Sequence, residues 1–96
     1  MANPSTFITD GVKTVATAGT QETLVSGSTP CNEVIIQALA TNASDVFIGG
    51  STIAAGRGVA LGAGEVLTLG LDDAFKVWVD VTVNGQGVSY ITLGGT

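Results

Sequence analysis

The acidic residues best suited to bind a hard cation such as calcium are four aspartates, Asp45, Asp72, Asp73 and Asp80. Calcium-binding loops place oxygen ligands at alternating positions in a DxDxDG type of pattern, and this pattern does not occur in the sequence. Aspartates are equally common where a chain bends, because their side chains cap turns and stay solvated. We therefore expect no bound metal.

A glycine-rich segment, Gly49-Gly50-Ser51-Thr52 followed by Gly56-Arg57-Gly58, has the composition of an anion-binding loop. It matches neither GxxxxGK[ST] nor GxGxxG, and no helical pattern follows it, so we expect no phosphate site. Arg57 is the only arginine of the chain. Its planar fork of donors suits a carboxylate at a protein interface, although Arg57 could equally remain a solvated loop charge. It is retained as a candidate interface residue.

The sequence contains no histidine and one cysteine, Cys31. Ser-His-Asp and Cys-His catalysis are therefore unavailable, as are most zinc sites and any internal disulfide. Cys31 precedes a predicted core strand, where we expect a buried, unreactive thiol. These observations predict a protein that is not an enzyme and uses no cofactor.

The 96 residues predict one domain, with 45% hydrophobic residues, 11% charged residues and a net charge of −5. Three basic residues are too few for a nucleic-acid surface, and no apolar run reaches the ~18 residues of a membrane span. The opening residues, MANPSTFITDG, lack a signal-peptide pattern, which predicts synthesis in the cytoplasm. Such a low surface charge favours a homo-oligomer or a permanent complex.

The strongest local signal is the segment 76–93, in which two alternating runs flank Asn84-Gly85. Asn-Gly between β-branched runs predicts a tight hairpin, with the two runs paired to each other. Alternation predicts one core face, formed by Val77, Val79, Val81, Val83, Val88 and Tyr90. Trp78 and Ile91 fall on the other, mixed face and are candidate interface residues. Trp78 and Tyr90 lie on opposite faces, which disfavours a sugar-stacking platform.

Further short strands are predicted at residues 13–17, 21–25, 33–40, 45–49, 59–61 and 65–71. No segment has a capped 3.6-residue repeat, so helix content should be near zero. Seven or eight short strands at this spacing predict an all-β fold, namely an antiparallel β-sandwich or jelly-roll-like domain.

The first residues show no periodicity, and residues 1–12 are interpreted as an extended N-terminal arm preceding a β-sandwich domain at 13–96. Such an arm is either a frayed terminus or a segment that docks on a neighbouring subunit. Phe7 and Ile8 are its candidate interface residues.

From Glu33 onward the chain resembles a small β-domain of tailed-bacteriophage virion proteins. The residues that carry the likeness are VIIQAL (34–39), NASDVFIGGSTI (42–53), GVALGAGEVLTL (58–69) and DDAFKVWVDVTVNGQGVSY (72–90). The family pattern has a V-x-V-G turn, an L-x-x-G-E-x-L-x-L strand, an acidic pair, and Y/W-V-D and G-x-x-Y strands. Here Phe47-Ile48-Gly49 and Trp78 stand at its aliphatic and aromatic positions.

The resemblance, together with the size of a single domain plus arm, implies a head decoration (cement) protein on the capsid exterior. Its partner would be the major capsid protein, its assembly often a trimer, and its mechanism the bridging of neighbouring capsid subunits. A neck, fibre-base or tail structural component of the virion is an alternative, as is a receptor- or glycan-binding module.

Overall fold

Two four-stranded antiparallel sheets pack face to face in the computed structural model, which describes residues 6–54 and 56–94. Sheet I has the strand order β1-β8-β3-β6, and sheet II has the order β2-β7-β4-β5. The strands are β1 (Phe7–Thr14), β2 (Glu22–Thr23), β3 (Glu33–Ala38), β4 (Val46–Gly49), β5 (Val59–Leu61), β6 (Val66–Gly70), β7 (Trp78–Val81) and β8 (Gly87–Gly94). One 3-10 turn, Ala74–Lys76, precedes β7. The predicted all-β antiparallel sandwich is confirmed.

The core lies between the two sheets and follows the alternation of apolar residues in each strand. In β3, Val34, Ile36 and Ala38 point inward and are at most 1% exposed. In sheet II, the inward residues of β4 and β7 meet them from the other side. Inward faces of this kind are what period-2 sequences bury when two sheets stack.

The predicted hairpin at 76–93 is wrong in its pairing, because β7 and β8 belong to different sheets. The turn itself is present: Gly85 has φ +84°, and the Gln86 N–H donates to the Val83 carbonyl at 3.3 Å. Val83, predicted in the core, lies after the end of β7 in the segment that crosses from sheet II to sheet I, and it is 44% exposed. Each strand instead pairs with two others, β7 with β2 and β4, and β8 with β1 and β3.

Much of the predicted N-terminal arm is strand in the structure. Residues 7–12 belong to β1, which pairs with β8 from Phe7 opposite Gly94 to Thr14 opposite Gly87. The boundary predicted between residues 12 and 13 therefore falls inside a strand. Weak periodicity hid this strand because its inward positions include Gly11 and Lys13 instead of large apolar residues. Residues 1–5 of the predicted arm lie outside the described residues.

An ion pair links the two sheets at the edge of the sandwich where β1 and β2 lie. Lys13 on β1 and Glu22 on β2 approach to 2.8 Å (Nζ to Oε1), with about a quarter and a third of their side chains exposed. The hydrogen bond from Lys13 holds the pKa of the Glu22 carboxyl below its ordinary value. Among the described residues, no helix is long and apolar enough to cross a membrane.

Candidate interaction surface

The outer face of sheet I is unusually apolar for a surface that no other layer covers. Side chains alternate between the two faces along each strand, and the strand registers show which residues share the outer face. They are Ile8, Asp10, Val12, Glu33, Ile35, Gln37, Val66, Thr68, Gly70, Ser89, Ile91 and Leu93. Ile8 and Val12 are each 64% exposed and Val66 is 56% exposed. Antiparallel sheets usually place polar residues on the solvent side, so a face of this composition indicates a binding surface.

A groove of about 470 Å³ crosses the middle of this outer face. It is lined by Asp10, Val12, Ile35, Gln37, Val66 and Ile91, with contributions from neighbouring residues. Ile35 on β3 and Ile91 on β8 are directly opposite each other and form its floor. Val12 on β1 and Val66 on β6 belong to the two edge strands of sheet I and form its sides. The groove is concave because Val12 and Val66 stand more exposed than Ile35 and Ile91, which lie between them.

The charged residues of the outer face are both acidic, Asp10 and Glu33, and neither takes part in an ion pair within the described chain. The basic residues lie elsewhere. Lys13 pairs with Glu22, and Lys76 pairs with Asp72 at 2.7 Å, a contact that raises the pKa of the lysine. Arg57 is in the exposed loop between β4 and β5. The outer face of sheet I therefore combines apolar side chains with unneutralised negative charge.

The five predicted interface residues are not brought together. Ile8 and Ile91 lie on the outer face of sheet I, whereas Phe7 points to its inner side and lies over Gly94. Trp78 is half-buried in sheet II, so the prediction that Trp78 and Ile91 share one face is wrong. The sequence predicts a shared face for Trp78 and Ile91 because a hairpin keeps both of its strands in one sheet.

Sequence reasoning missed most of the groove. Val12 lies in the predicted arm, and Val66 lies in the predicted strand 65–71 and is not among the candidate interface residues. The signal that could have found the groove is in β3, where Ile35 is apolar on the face opposite to Val34 and Ile36. A central strand with apolar residues on both faces indicates a sheet covered on both sides.

Two of the aspartates considered for a metal site, Asp73 and Asp80, hold loop backbone through hydrogen bonds. Asp73 accepts hydrogen bonds from Ser28 Oγ and Thr29 N, each at 2.8 Å, and from Phe75 N at 2.9 Å. The backbone bonds from Thr29 and Phe75 and the Ser28 hydroxyl lower the pKa of Asp73. Asp80 is 1% exposed, and its carboxylate accepts from the backbone N–H groups of Gly19 and Val81. Within residues 6–54 and 56–94, no three His, Cys, Asp or Glu residues are grouped to hold a metal ion.

Cys31 is 7% exposed, and its thiol donates a hydrogen bond to the Leu71 carbonyl at 3.2 Å. Burial raises the pKa of this thiol, which keeps it protonated at neutral pH and weakly nucleophilic. The expected buried, unreactive thiol agrees with this environment. Trp78 and Tyr90 lie in separate sheets, with Tyr90 on the inner side beside Gly11, so they form no common platform.

Comparison with known proteins finds no protein family, curated protein or solved structure that matches this chain.

Proposed function

We propose that this protein is a structural component of a bacteriophage virion that decorates the capsid exterior and stabilises it by bridging neighbouring capsid subunits. The virion context rests on the resemblance of residues 34–90 to small β-domains of tailed phages. The observation that carries the adhesive role is the outer face of sheet I, where Ile8, Val12 and Val66 are each more than half exposed. A rigid sandwich with such a face is suited to binding a large, repeated surface.

The mechanism is mechanical linkage instead of chemistry. Binding only to the assembled lattice stabilises that lattice by mass action, since dissociation of the shell must first release the bound protein. Repeated copies, or an oligomer such as a trimer, add avidity because each further contact is intramolecular. Among the described residues, no group of three or more His, Cys, Asp or Glu side chains is placed to hold a metal ion.

The test compares shells of the major capsid protein from the same genome, with and without this protein, under heating or dialysis to low salt. We expect saturable binding and a higher temperature of shell disruption for decorated shells. The copy number per particle separates decoration, which requires many copies, from a neck or fibre-base role, which requires few. If the purified protein does not bind shells at any concentration tested, the decoration role is refuted.

A further inference from the structure

We propose that the groove on the outer face of sheet I is the docking site on the shell, and that it receives an apolar side chain flanked by a lysine or arginine. This inference rests on the proposed function, because it names the binding surface and the chemistry of the capsid partner.

The floor and sides of the groove specify the apolar part of the partner. Ile35 and Ile91 are half-buried at its centre, while Val12 and Val66 stand exposed at its two sides. A side chain inserted here would be surrounded by branched aliphatic residues on three sides. Burial of that apolar surface gives the contact its affinity, as in the central pockets of protein interfaces.

The negative charges of the outer face specify the charge that the partner must carry. Asp10 lines the groove and Glu33 lies on the same face, and both carboxylates are without an ion pair in the described chain. The two lysines are already paired with Glu22 and Asp72. A carboxylate covered by a partner loses its hydration, and this cost is offset only when a cation or hydrogen-bond donor replaces the water. The partner must therefore present a basic group at Asp10.

The same observations argue against a second copy of this chain in face-to-face contact. Two identical faces would place the carboxylates of Asp10 and Glu33 from both copies in one interface with no basic side chain from either face, and like charges repel. Two concave grooves facing each other would also leave unfilled space, which forfeits packing contacts. A convex, basic and apolar surface of another protein fits both properties of the groove.

The groove can be altered without changing the core, because Val12 and Val66 are on edge strands and point to solvent. The double variant Val12→Thr/Val66→Thr keeps β-branched side chains and so keeps strand propensity. Its matched control is Val59→Thr/Val83→Thr, two valines that are 46% and 44% exposed outside the groove. The charge variant is Asp10→Asn, with Asp45→Asn in the exposed loop before β4 as its control.

The experiment measures co-sedimentation of each variant with undecorated shells across a range of salt concentrations, together with its melting temperature and its mass in solution. We expect Val12→Thr/Val66→Thr to weaken shell binding about tenfold or more, and its control to bind like the wild type. Asp10→Asn should weaken binding and flatten its dependence on salt, because one screened attraction is lost.

The outcomes separate the two proposals. If the wild type binds shells and the groove variants bind equally well, the groove is not the docking site, and the proposed function stands. If the wild type self-associates and Val12→Thr/Val66→Thr makes it monomeric, a second copy occupies the groove and the inference is overturned. If the wild type does not bind shells at all, the proposed function itself fails.

Discussion

Gln86 shows how a single side chain fixes a loop in this fold. It is 6% exposed, and its Oε1 accepts hydrogen bonds from the backbone N–H groups of Ala43 and Ser44. Its Nε2 donates to the Ser44 carbonyl at 3.3 Å. These bonds tie the exposed β3–β4 loop to the buried amide of Gln86, which makes this residue structural.

Gly85, in the turn between β7 and β8, has φ +84° and open space where a Cβ would lie. Gly85→Ala should therefore lower the free energy of unfolding by about 1–2 kcal/mol through backbone strain alone, as measured by urea denaturation. Gly27→Ala is the matched control, because Gly27 also has open space but no positive φ. It should be neutral or slightly stabilising. Equal losses in the two variants would show that side-chain space, not φ, sets the cost.

The Lys13–Glu22 ion pair should make the free energy of unfolding depend on pH. The pKa of Glu22 is lowered in the folded state, so its contribution is complete above roughly pH 5 and is lost as the pH falls through the folded value. Both side chains are partly exposed, which limits the contribution to about 0.5 kcal/mol.

Unfolding free energies of wild type and Glu22→Gln, measured from pH 7 to pH 3, test this contribution. The difference between them should be largest at neutral pH and shrink toward pH 3. Lys13→Met should reduce the same pH dependence, since it removes the main cause of the lowered pKa. A difference that is constant with pH would exclude the ion pair as its source.

At the scale of elements, β1 is the strand whose role differs most from the prediction. Its eight residues make it a full edge strand of sheet I, and it covers one side of β8 along nearly the whole length of that strand. The charges of Asp10 and Lys13 on this strand oppose pairing with strands of other chains. β1 also supplies Val12 and Asp10 to the groove, so it contributes to both the fold and the surface.

Removal of residues 1–11 deletes five of the eight residues of β1, namely Phe7 to Gly11. The loss of their pairing with β8 should lower the free energy of unfolding by on the order of several kcal/mol, seen as a lower melting temperature by far-UV circular dichroism. Removal of residues 2–5 alone is the control and leaves the β1–β8 pairs in place. If the longer truncation melts like the full chain, the pairing of β1 contributes nothing to stability.

At the scale of the whole molecule, the first and last described strands lie side by side. The first described strand pairs with the last, and β3 lies between β8 and β6, so sheet I joins segments far apart in sequence. Sheet I therefore cannot be completed before β8 is available, because β8 lies between β1 and β3. The apolar outer face depends on the same closure, because its residues come from all four strands of sheet I.

Refolding should be slow for a domain of this size, in the range of milliseconds to seconds, because non-local strand pairing must overcome loop-closure entropy. Stopped-flow fluorescence of Trp78, the only tryptophan, measures it directly. Completion of refolding within a dead time of about a millisecond would contradict the dominance of non-local contacts.

The sequence by itself determined the core-facing residues of the strands with regular apolar alternation, as at Val34, Ile36, Val46 and Ile48, because side-chain direction alternates whatever the partner strand is. It also determined the turn at Gly85, since a positive φ is a local requirement. Only the tertiary structure decided which strands pair. That choice depends on competition among distant segments for the same backbone hydrogen bonds, and local alternation carries no information about it.

The groove also depends on which strands pair. Placing β8 beside β1 and β3, instead of beside β7, brought Ile91 next to Ile35 and away from Trp78. It also placed Asp10 opposite Ile91 across the β1–β8 ladder. Each of these residues is ordinary for a strand when considered alone. Their proximity arises from contacts between residues more than 50 positions apart in the chain, which no periodicity within a strand can predict.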